Sequence, residues 1–396
     1  MKNMVVDERN MLDHILSRED AYKALVEWIP NARSQYASNR NYDIDRNTTS
    51  RLSSFISSGL LSEEDILQCA NDIGIPSKNN KFMEEIFWRI YFRGFLENRP
   101  SIWNSYISDL KKLDDQKNKL DYENAISART GIECFDDWTV QLNDTGYLHN
   151  HTRMWYASIW VFTLNLPWQL GADFFLRKLI DADEASNTLS WRWVAGLHTS
   201  KKPYVARPDN IFKYTKKYRP SDNQLNLYPE PIVEELVHEP KPLVNMDHDR
   251  KSADTILLHD NFFPIHQISS MNCKEIVVVE SPIDPSFRIA RIWDFVQPQI
   301  VNHISKKFNI KPIYISHNEI AELSNHSVIT NRPRVGLWKD SISPQIQSLQ
   351  NNSSVHFITP SIDKLSWPMC KGGYFKLKVA IPKIINKLIG QVELAF

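Results

Sequence analysis

Apolar positions recur at helical spacing through the first 235 residues of this chain. The clearest such stretches are residues 19–30, 81–97, 135–142 and 155–166. Pro30 predicts the end of the first stretch, since proline cannot donate the backbone hydrogen bond that continues a helix. Hardly any part of this region alternates between apolar and polar positions as a half-buried strand does. We therefore predict an all-helical unit over residues 1–235.

The pattern changes beyond residue 253, where short β-branched runs replace the helical spacing. The predicted strands are Thr255–His259, Glu275–Glu280, Pro312–Ser316, Arg334–Trp338 and Val355–Thr359. Runs this apolar, bounded by polar turns, are typical of a buried parallel sheet. Helix-like segments separate several of them, most clearly Phe287–Phe308, which predicts a doubly wound α/β fold. No GxGxxG motif follows the first run, which disfavours a standard dinucleotide site there.

Between these two patterns the chain becomes rich in proline, lysine and acidic residues and loses its periodicity. The later part of this stretch, residues 236–252, is the predicted linker. We expect two domains, a helical one over residues 1–235 and an α/β one over residues 253–396 that ends in a helical segment. A chain of 396 residues is long enough to give each domain its own core.

Charge and cysteine content exclude several classes of protein. Lysine plus arginine and aspartate plus glutamate number 47 each, so any surface for nucleic acid has to be a local patch. The cysteines form no CxxC pair, which disfavours a metal site and favours a reduced intracellular chain. No apolar run is long enough to span a bilayer, and residues 1–20 lack a signal-peptide core. We expect a soluble, cytoplasmic protein.

Two segments of the helical region carry candidate chemistry. Hydroxyl groups cluster at Thr48–Ser54, just before an apolar helical stretch. Such a cluster caps a helix, and the free N–H groups of a helix N-terminus also suit a phosphate, so both roles remain open. Glu85, Trp88 and Arg89 lie within one helical turn and can share a face. From the residues alone, the favoured interpretation is one core-facing tryptophan with solvated charges beside it.

The most informative stretch runs from Gly146 to Trp193. It reads Tyr147-Leu-His-Asn-His-Thr-Arg-Met154, then Leu179-Ile-Asp-Ala-Asp183, then Asn187 and Trp191-Arg-Trp193. Carboxylates can face an arginine and a ribose, an amide can face a ring nitrogen, and a tryptophan can lie against a flat ring. These groups together suit a buried flavin, for which the protein supplies binding and orientation.

This arrangement resembles the FAD-binding domain of the DNA photolyase/cryptochrome family. The family pattern is Trp-Met-His-Asn-x-x-Arg-Met, then Leu-Ile-Asp-x-Asp, an Asn and Trp-x-Trp, and the spacing matches along the whole stretch. Upstream, the family segments Tyr-x-x-x-Arg, Thr-Ser-Arg-Leu-Ser and Glu-x-x-Trp-Arg match Tyr36–Arg40, Thr49–Ser53 and Glu85–Arg89. Tyr147 departs from the pattern, because photolyases usually have a tryptophan there.

The resemblance implies a bound FAD. The residues that would hold its pyrophosphate are Tyr36, Thr49, Ser50, Arg51, Leu52 and Ser53. Asp181 would pair with Arg153 near the flavin, Asp183 would hold its polar edge or the ribose, and Asn187 would face its reactive nitrogen. Trp191 and Trp168 match the first two members of the tryptophan chain that reduces the flavin in light. The third position has no tryptophan, and a different Trp or Tyr can take its place.

The resemblance also implies a pocket for a pyrimidine dimer flipped out of DNA. Trp88 would stack on the dimer, Glu85 would hydrogen-bond or protonate it, and Arg89 would meet a phosphate. Asn150 and Met154 match cyclobutane-dimer photolyases, whereas the (6-4) photolyases of animals have histidines there. The expected cationic rim for phosphates consists of Arg40, Arg89, His151 and Arg207.

The implied function is light-driven repair of cyclobutane pyrimidine dimers by electron transfer from excited, reduced FAD. An enzyme with this function is a deoxyribodipyrimidine photolyase, which is a carbon–carbon lyase. A cryptochrome-like photoreceptor that binds FAD without repairing DNA is the first alternative, and a structural or nucleic-acid-binding protein without flavin is the second. The expected partner is UV-damaged DNA, and the expected state is a monomer without metal. Residues 253–360 resemble the family's antenna domain, placed here after the flavin domain, with a second chromophore left unspecified.

Overall fold

The computed structural model describes residues 17–44, 48–199, 201–243, 253–264, 267, 272–323, 326–352 and 354–393. Residues 1–16, which hold most of the stretch predicted to lack a signal peptide, lie outside this set. Residues 244–252, the larger part of the predicted linker, also lie outside it. Across the described ranges, no helix is both long and apolar enough to cross a membrane.

The first part of the described chain is helical, as predicted. Its α-helices are α1 Arg18–Trp28, α2 Asn31–Ser34, α3 Tyr36–Asn39, α4 Ser53–Ser58, α5 Glu63–Asp72, α6 Lys81–Asn98, α7 Pro100–Lys112, α8 Leu120–Ile126, α9 Glu133–Thr145, α10 Asn150–Ser158, α11 Trp168–Lys178, α12 Glu184–Val194 and α13 Pro208–Thr215. A 3-10 turn at Asp114–Asn118 and a π-helical turn at Ile159–Thr163 interrupt the series. Among the residues described before Thr255, none belongs to a β-strand.

Helix α6 is a central element of this part. Asn80 starts it, because its side chain accepts a hydrogen bond from Met83 N at 3.1 Å and satisfies one of the free amides of the first turn. Phe87, Ile90 and Tyr91 are fully buried along one side of the helix. Helix α6 packs against α12, so two of the segments with candidate chemistry are neighbours.

The later part forms a parallel sheet of five described strands, as predicted. The strands are β1 Thr255–Leu258, β2 Glu275–Val279, β3 Pro312–Ile315, β4 Ser327–Asn331 and β5 Ser354–Ile358, in the spatial order β3-β2-β1-β4-β5. The register places buried Ile256 beside Ile276 and Ile329. Helices α14 Arg288–Phe308 and α15 Leu337–Asn352 join β2 to β3 and β4 to β5. The direction in which successive strands are added to the sheet reverses between β1 and β4, as in a doubly wound fold.

One predicted strand is wrong. Arg334–Trp338 forms the turn into α15, where Gly336 has a φ of +150° that suits glycine. The fourth strand is instead Ser327–Asn331. Its polar side chains are buried because they find partners, as when Thr330 Oγ1 donates to Leu257 O at 2.8 Å. A search for apolar runs misses a strand whose polar residues are satisfied only by its neighbours in the sheet.

The carboxyl end of β1 docks onto α4 of the helical part. Asn261 Nδ2 donates to Ser58 O at 3.0 Å, and Trp293 Nε1 donates to Ser57 O at 2.7 Å. Gly59 makes this approach possible, because its φ is +86° and a Cβ there would lie 2.5 Å from Asn261 O. The sheet therefore supports the helix that follows the hydroxyl cluster.

Two carboxylates of the helical part hold the start of α15. Glu97 accepts a hydrogen bond from Val335 N at 2.6 Å, and Glu184 accepts one from Leu337 N at 3.3 Å. Amides at a helix start have no partner within the helix, and the helix dipole favours negative charge there. Burial, together with the charge of Asp183, raises the pKa of Glu184 to about 7. The contact between the two parts of the chain thus contains a group that titrates near neutral pH.

Replacing Glu184 by Gln should flatten the pH dependence of stability. Because the folded protein raises the pKa of Glu184, folding favours the protonated form. That stabilisation is complete below about pH 4.5, the pKa of the unfolded chain, and is lost as the pH rises through about 7. The wild-type free energy of unfolding should fall over this window, with a slope from this group approaching about 1.4 kcal/mol per pH unit. Denaturant titrations measure it, with exposed Glu230→Gln as the control, and equal slopes in all three proteins would contradict the prediction.

After β5 the described chain returns to the helical part. Helices α16 Ser361–Ser366 and α17 Phe375–Glu393 both pack against α6. Arg93 of α6, which is 4% exposed, pairs with Glu63 of α5 and with Asp363 of α16, the latter at 3.1 Å from Nη2 to Oδ1. The division at residues 236–252 stays a prediction, and the helices that follow the sheet share a core with the first part.

Candidate active site

An arginine–aspartate pair lies at the centre of the predicted site. Helix α10 begins at Asn150 because the His149 side chain accepts a hydrogen bond from His151 N at 3.1 Å. In the first turn that follows, Arg153 Nη2 donates to both carboxylate oxygens of Asp181, at 2.9 Å each. The Asp181 side chain is 4% exposed, so water screens this pair weakly. The ion pair between the two residues is present as predicted, and its contact with a flavin stays a prediction.

The hydroxyl-rich segment Thr49–Ser53 leads into α4, which is hydrogen-bonded to Asp181. Ser57 Oγ of α4 donates to Asp181 O at 2.9 Å. Arg51 has a φ of +54°, in the left-handed region, and its guanidinium lies 4.7 Å from the centroid of the Tyr147 ring. Tyr147 is buried, so a packed aromatic ring occupies the position where the family pattern has a tryptophan.

Tyr36 belongs to an aromatic cluster. Its ring meets Trp28 edge-on at 5.7 Å and Phe82 edge-on at 5.4 Å between centroids. Burial, reinforced by the charge of Glu85, raises the pKa of Tyr36, so the phenol keeps its proton. The structure gives Tyr36 a packing role, and its contact with a cofactor stays a prediction.

Asp183 and Asn187 are placed by the start of α12. Asp183 caps the helix by accepting from Ser186 N at 2.7 Å, and its other oxygen lies 3.3 Å from Arg89 Nη2. Burial acts to raise the pKa of Asp183, but the charge of Arg89 and the bonds from Ser186 hold it below its usual range. Asn187 Nδ2 donates to Ala172 O at 2.8 Å. Its side-chain oxygen is therefore the atom that can accept from a ligand.

Glu85 and Trp88 lie one turn apart on α6, and both are partly exposed. Glu85 pairs with Arg40 at 3.2 Å and with Lys81 at 3.3 Å. The Trp88 indole stacks on the ring of Tyr374, with 3.8 Å between centroids and 16° between planes. No local pattern predicts the contact of Tyr374 with Trp88, because nothing in the sequence around Tyr374 indicates that it reaches α6.

The predicted cationic rim is not assembled as one surface. Arg89 turns inward and pairs with two buried carboxylates. His151 stacks on Trp155 at 4.1 Å, and burial lowers its pKa, so it carries no charge at neutral pH. Arg207 is exposed at the start of α13, and Arg40 is partly exposed. Of these two, Arg40 pairs with Glu85, whereas Arg207 is exposed. Contact of any of the four with DNA stays a prediction.

The two residues predicted to face the lesion share one side of α10. Asn150 is the first residue of the helix and is exposed, and Met154 follows four residues later and is partly buried. Positions four apart lie above one another on a helix. The pair can therefore line one wall, with Arg153 between them pairing with Asp181.

The predicted electron-transfer residues Trp191 and Trp168 are both buried. Trp191 lies so close to α11 that a Cβ on Gly171 would come within 2.3 Å of the indole. Trp168 stacks on Tyr106 at 5.6 Å, and Tyr106 meets Trp103 at 5.4 Å between centroids. Aromatic rings thus continue beyond Trp168, where the sequence left the third position open. Electron transfer through them stays a prediction.

A crevice lies at the carboxyl ends of β1, β4 and β5, between the sheet and the helical part. It is partly open to solvent, and its lining includes Arg18, Glu63 and Phe262. Arg334, which also lines it, lies 4.4 Å from the centroid of the Phe262 ring. Ligands of doubly wound sheets bind at this edge of the sheet.

The residues of the site fit FAD. The hydroxyls of Thr49 to Ser53 and the Arg51 guanidinium are groups that hold phosphate oxygens. The pair of Arg153 with Asp181 and the amide of Asn187 are groups that hold the polar edge of a flat ring. Ser54 Oγ is buried and has no hydrogen-bond partner among the described residues, as expected of a group that a ligand satisfies.

Comparison with known proteins supports this interpretation of the helical part. Residues 82–261 match the family model described as the FAD binding domain of DNA photolyase. The deoxyribodipyrimidine photo-lyase of Streptomyces griseus is 31% identical over 187 residues, which cover 47% of this chain and 40% of the relative. The Escherichia coli protein of that name is 28% identical over 235 residues, which cover 56% of this chain and 48% of the relative.

The chain spans about half the length of the curated relatives it matches. A solved class III photolyase from Agrobacterium tumefaciens is 26% identical, with 53% of this chain and 45% of that chain covered and a TM-score of 0.43. The segment matched by the family model contains the Arg153–Asp181 pair and Asn187. Over residues 82–261, this chain is similar to the FAD-binding domain of DNA photolyase.

Proposed function

We propose that this protein repairs cyclobutane pyrimidine dimers in DNA in a light-driven reaction that uses reduced FAD. The observation that carries the proposal is the placement of Glu85 and Trp88 on α6. This helix packs against α12, which carries Asn187. A group for stacking and a group for hydrogen bonding to a base thus stand on a helix adjacent to the one that presents an amide to the flavin.

FAD, when bound and fully reduced, supplies an electron from its light-excited state. The chain's own residues bind and orient it. Arg153 and Asp181 hold the polar edge of the ring, and Asn187 accepts a hydrogen bond through its side-chain oxygen. Trp191 packs against the site and excludes water, which strengthens the polar contacts inside.

Recognition of the lesion requires that the base leave the DNA stack. A dimer stacks poorly, so flipping it out costs less than flipping a normal base. Trp88 then stacks on the base, and Glu85 donates or accepts a hydrogen bond on its polar edge. The exposed Arg207 and the partly exposed Arg40 contact phosphates and make binding weaken as salt rises. Asn150 and Met154 complete the wall that selects the cyclobutane form.

The crevice beside Phe262 is the place we propose for a second, antenna chromophore. Its position at the carboxyl edge of the sheet, and the stacking of Arg334 on Phe262, support a planar ligand there. In this view residues 253–360 act as the antenna domain, placed after the flavin domain in the chain.

One observation favours the alternative, a photoreceptor that binds FAD without repairing DNA. Glu85 is already paired with Arg40 and Lys81, so it has to exchange partners before it can meet a base. A photoreceptor would show light-dependent reduction of its flavin and no loss of dimers.

The experiment is blue-light repair of an oligonucleotide that carries one cyclobutane thymine dimer, with the flavin reduced beforehand. The wild type should remove the dimer in light and leave it in the dark. Glu85→Ala should slow the repair by about tenfold or more, because a positioned proton donor contributes at least this much. Glu27→Ala, an exposed change on α1, is the matched control. A yellow, photoreducible wild type that leaves the dimer intact would contradict the proposal, and a colourless protein would contradict the flavin site itself.

A further inference from the structure

A segment that follows the sheet crosses the predicted substrate helix. We call residues Trp367–Lys378 the C-terminal strap. The strap passes α6 at Gly94, where a Cβ would lie 2.6 Å from Trp367 Cδ1 and 2.9 Å from Cys370 Sγ. Contacts this short require glycine, so α6 is built to receive the strap at this point.

The strap is anchored along the same side of α6. Arg99 Nη2 donates to Lys371 O at 2.6 Å, and Tyr91 OH donates to Gly372 O at 2.8 Å. Farther along, Lys378 pairs with Glu84 at 2.9 Å. Backbone and side-chain contacts on both sides of Tyr374 therefore fix the strap against the helix.

Tyr374 lies between these anchors and is 9% exposed. Its hydroxyl donates to Glu84 O at 2.7 Å. Burial, with the nearby charges of Glu85 and Glu84, raises the pKa of Tyr374, so the phenol stays a donor. Both the ring and the hydroxyl of Tyr374 are thus held in place.

The ring of Tyr374 covers one face of the Trp88 indole. The two rings stack with 3.8 Å between centroids and 16° between planes, whereas Tyr91 meets Trp88 edge-on at 5.4 Å. A ring on one face and an edge beside it hold the indole in one orientation. Trp88 nevertheless stays partly exposed, so a side of it remains open to a ligand.

We infer that Tyr374 is a positioning residue of the substrate pocket, which holds Trp88 and restricts a flipped base to the uncovered side of the indole. This inference rests on the proposed function. A pre-oriented side chain loses less freedom when it binds, so fixing Trp88 strengthens its stacking on the base. The pocket of the helical domain is then completed by a residue from the segment that follows the α/β sheet.

The test measures binding in the dark, which separates recognition from photochemistry. Dissociation constants are determined for an oligonucleotide with one cyclobutane dimer and for the undamaged oligonucleotide, at one salt concentration. Tyr374→Ala should weaken binding to the dimer by about tenfold and leave binding to undamaged DNA within about twofold. Tyr374→Phe, which keeps the ring, should stay within about twofold of the wild type. Phe375→Ala, the neighbouring side chain at 76% exposure, is the matched control and should have no effect.

A Trp88→Ala background tells positioning from a general loss of structure. If Tyr374 acts through Trp88, Tyr374→Ala should not weaken dimer binding further once Trp88 is gone, because the two effects are coupled. Independent effects that add would overturn the inference. Tyr374→Leu, which keeps an apolar side chain under the strap, serves the same purpose if the alanine variant does not fold.

Two negative outcomes are distinguishable. A wild type that prefers dimer DNA, with a Tyr374→Ala variant that prefers it equally, would overturn the inference and leave the proposed function standing. A wild type that binds both oligonucleotides equally would overturn the proposed function and the inference with it. Flavin content, read from the absorption spectrum, should be the same in all these variants.

Discussion

Replacing Arg93 by Leu is expected to lower the free energy of unfolding by about 3–5 kcal/mol. Arg93 is 4% exposed and lies between Glu63 and Asp363. Burial acts to raise the pKa of Glu63, but the charges of Arg93 and Arg89 lower it to about 2. Leucine fills the space but leaves two buried carboxylates without their main partner. Removing one member of a buried ion pair is strongly destabilising because the remaining charge is buried without compensation.

Denaturant unfolding monitored by circular dichroism measures this loss. The matched control is Lys112→Leu, since Lys112 pairs with Asp109 at the surface, where such pairs contribute little. Its free energy of unfolding should stay within about 0.5 kcal/mol of the wild type. Equal stability of the two variants would mean that the network among Glu63, Arg93 and Asp363 does not join the C-terminal helices to α6.

Replacing Asp181 by Asn is expected to weaken FAD binding while the fold of the site is kept. The change removes the charge that meets Arg153 at 2.9 Å and preserves an oxygen for one hydrogen bond. Arg153 is partly exposed, so water offsets some of the lost attraction, and we expect a stability loss of about 2 kcal/mol. FAD affinity should fall by at least about tenfold, because the guanidinium is no longer held in one orientation.

Flavin absorbance of the purified protein and fluorescence titration with FAD measure the loss of FAD affinity. Asp209→Asn is the matched control, because Asp209 pairs with Arg219 at 2.8 Å on the surface. It should bind FAD as the wild type does. An Asp181→Asn variant that purifies with a full complement of flavin would contradict the role of the Arg153–Asp181 pair.

Much of the helical site could be predicted because its groups are close in sequence and their spacing carries geometry. Asp183 and Asn187 lie on one helix start, and Asn150 and Met154 lie one turn apart, so local structure alone sets their relation. The apolar runs of β1 and β2 could be predicted in the same way, since strands buried on both faces have few polar residues. Strand β3 also has an apolar run, although it lies at the edge of the sheet with Ile313 and Tyr314 about half exposed. Strand β4 could not be predicted, because its Thr330 is satisfied only by a partner on β1.

Periodicity was enough to predict the helices and four of the five strands, and the pairing of Arg153 with Asp181 followed from the resemblance of their motifs to a known family. The direction in which long side chains turn depends instead on how the elements pack. Arg89 faces buried carboxylates rather than solvent, since α5 and α12 offer it partners there. Packing also decided that Tyr374 stacks on Trp88, a contact between residues 286 positions apart (374 minus 88). Contacts of that range are set by how the elements pack, and no local pattern encodes them.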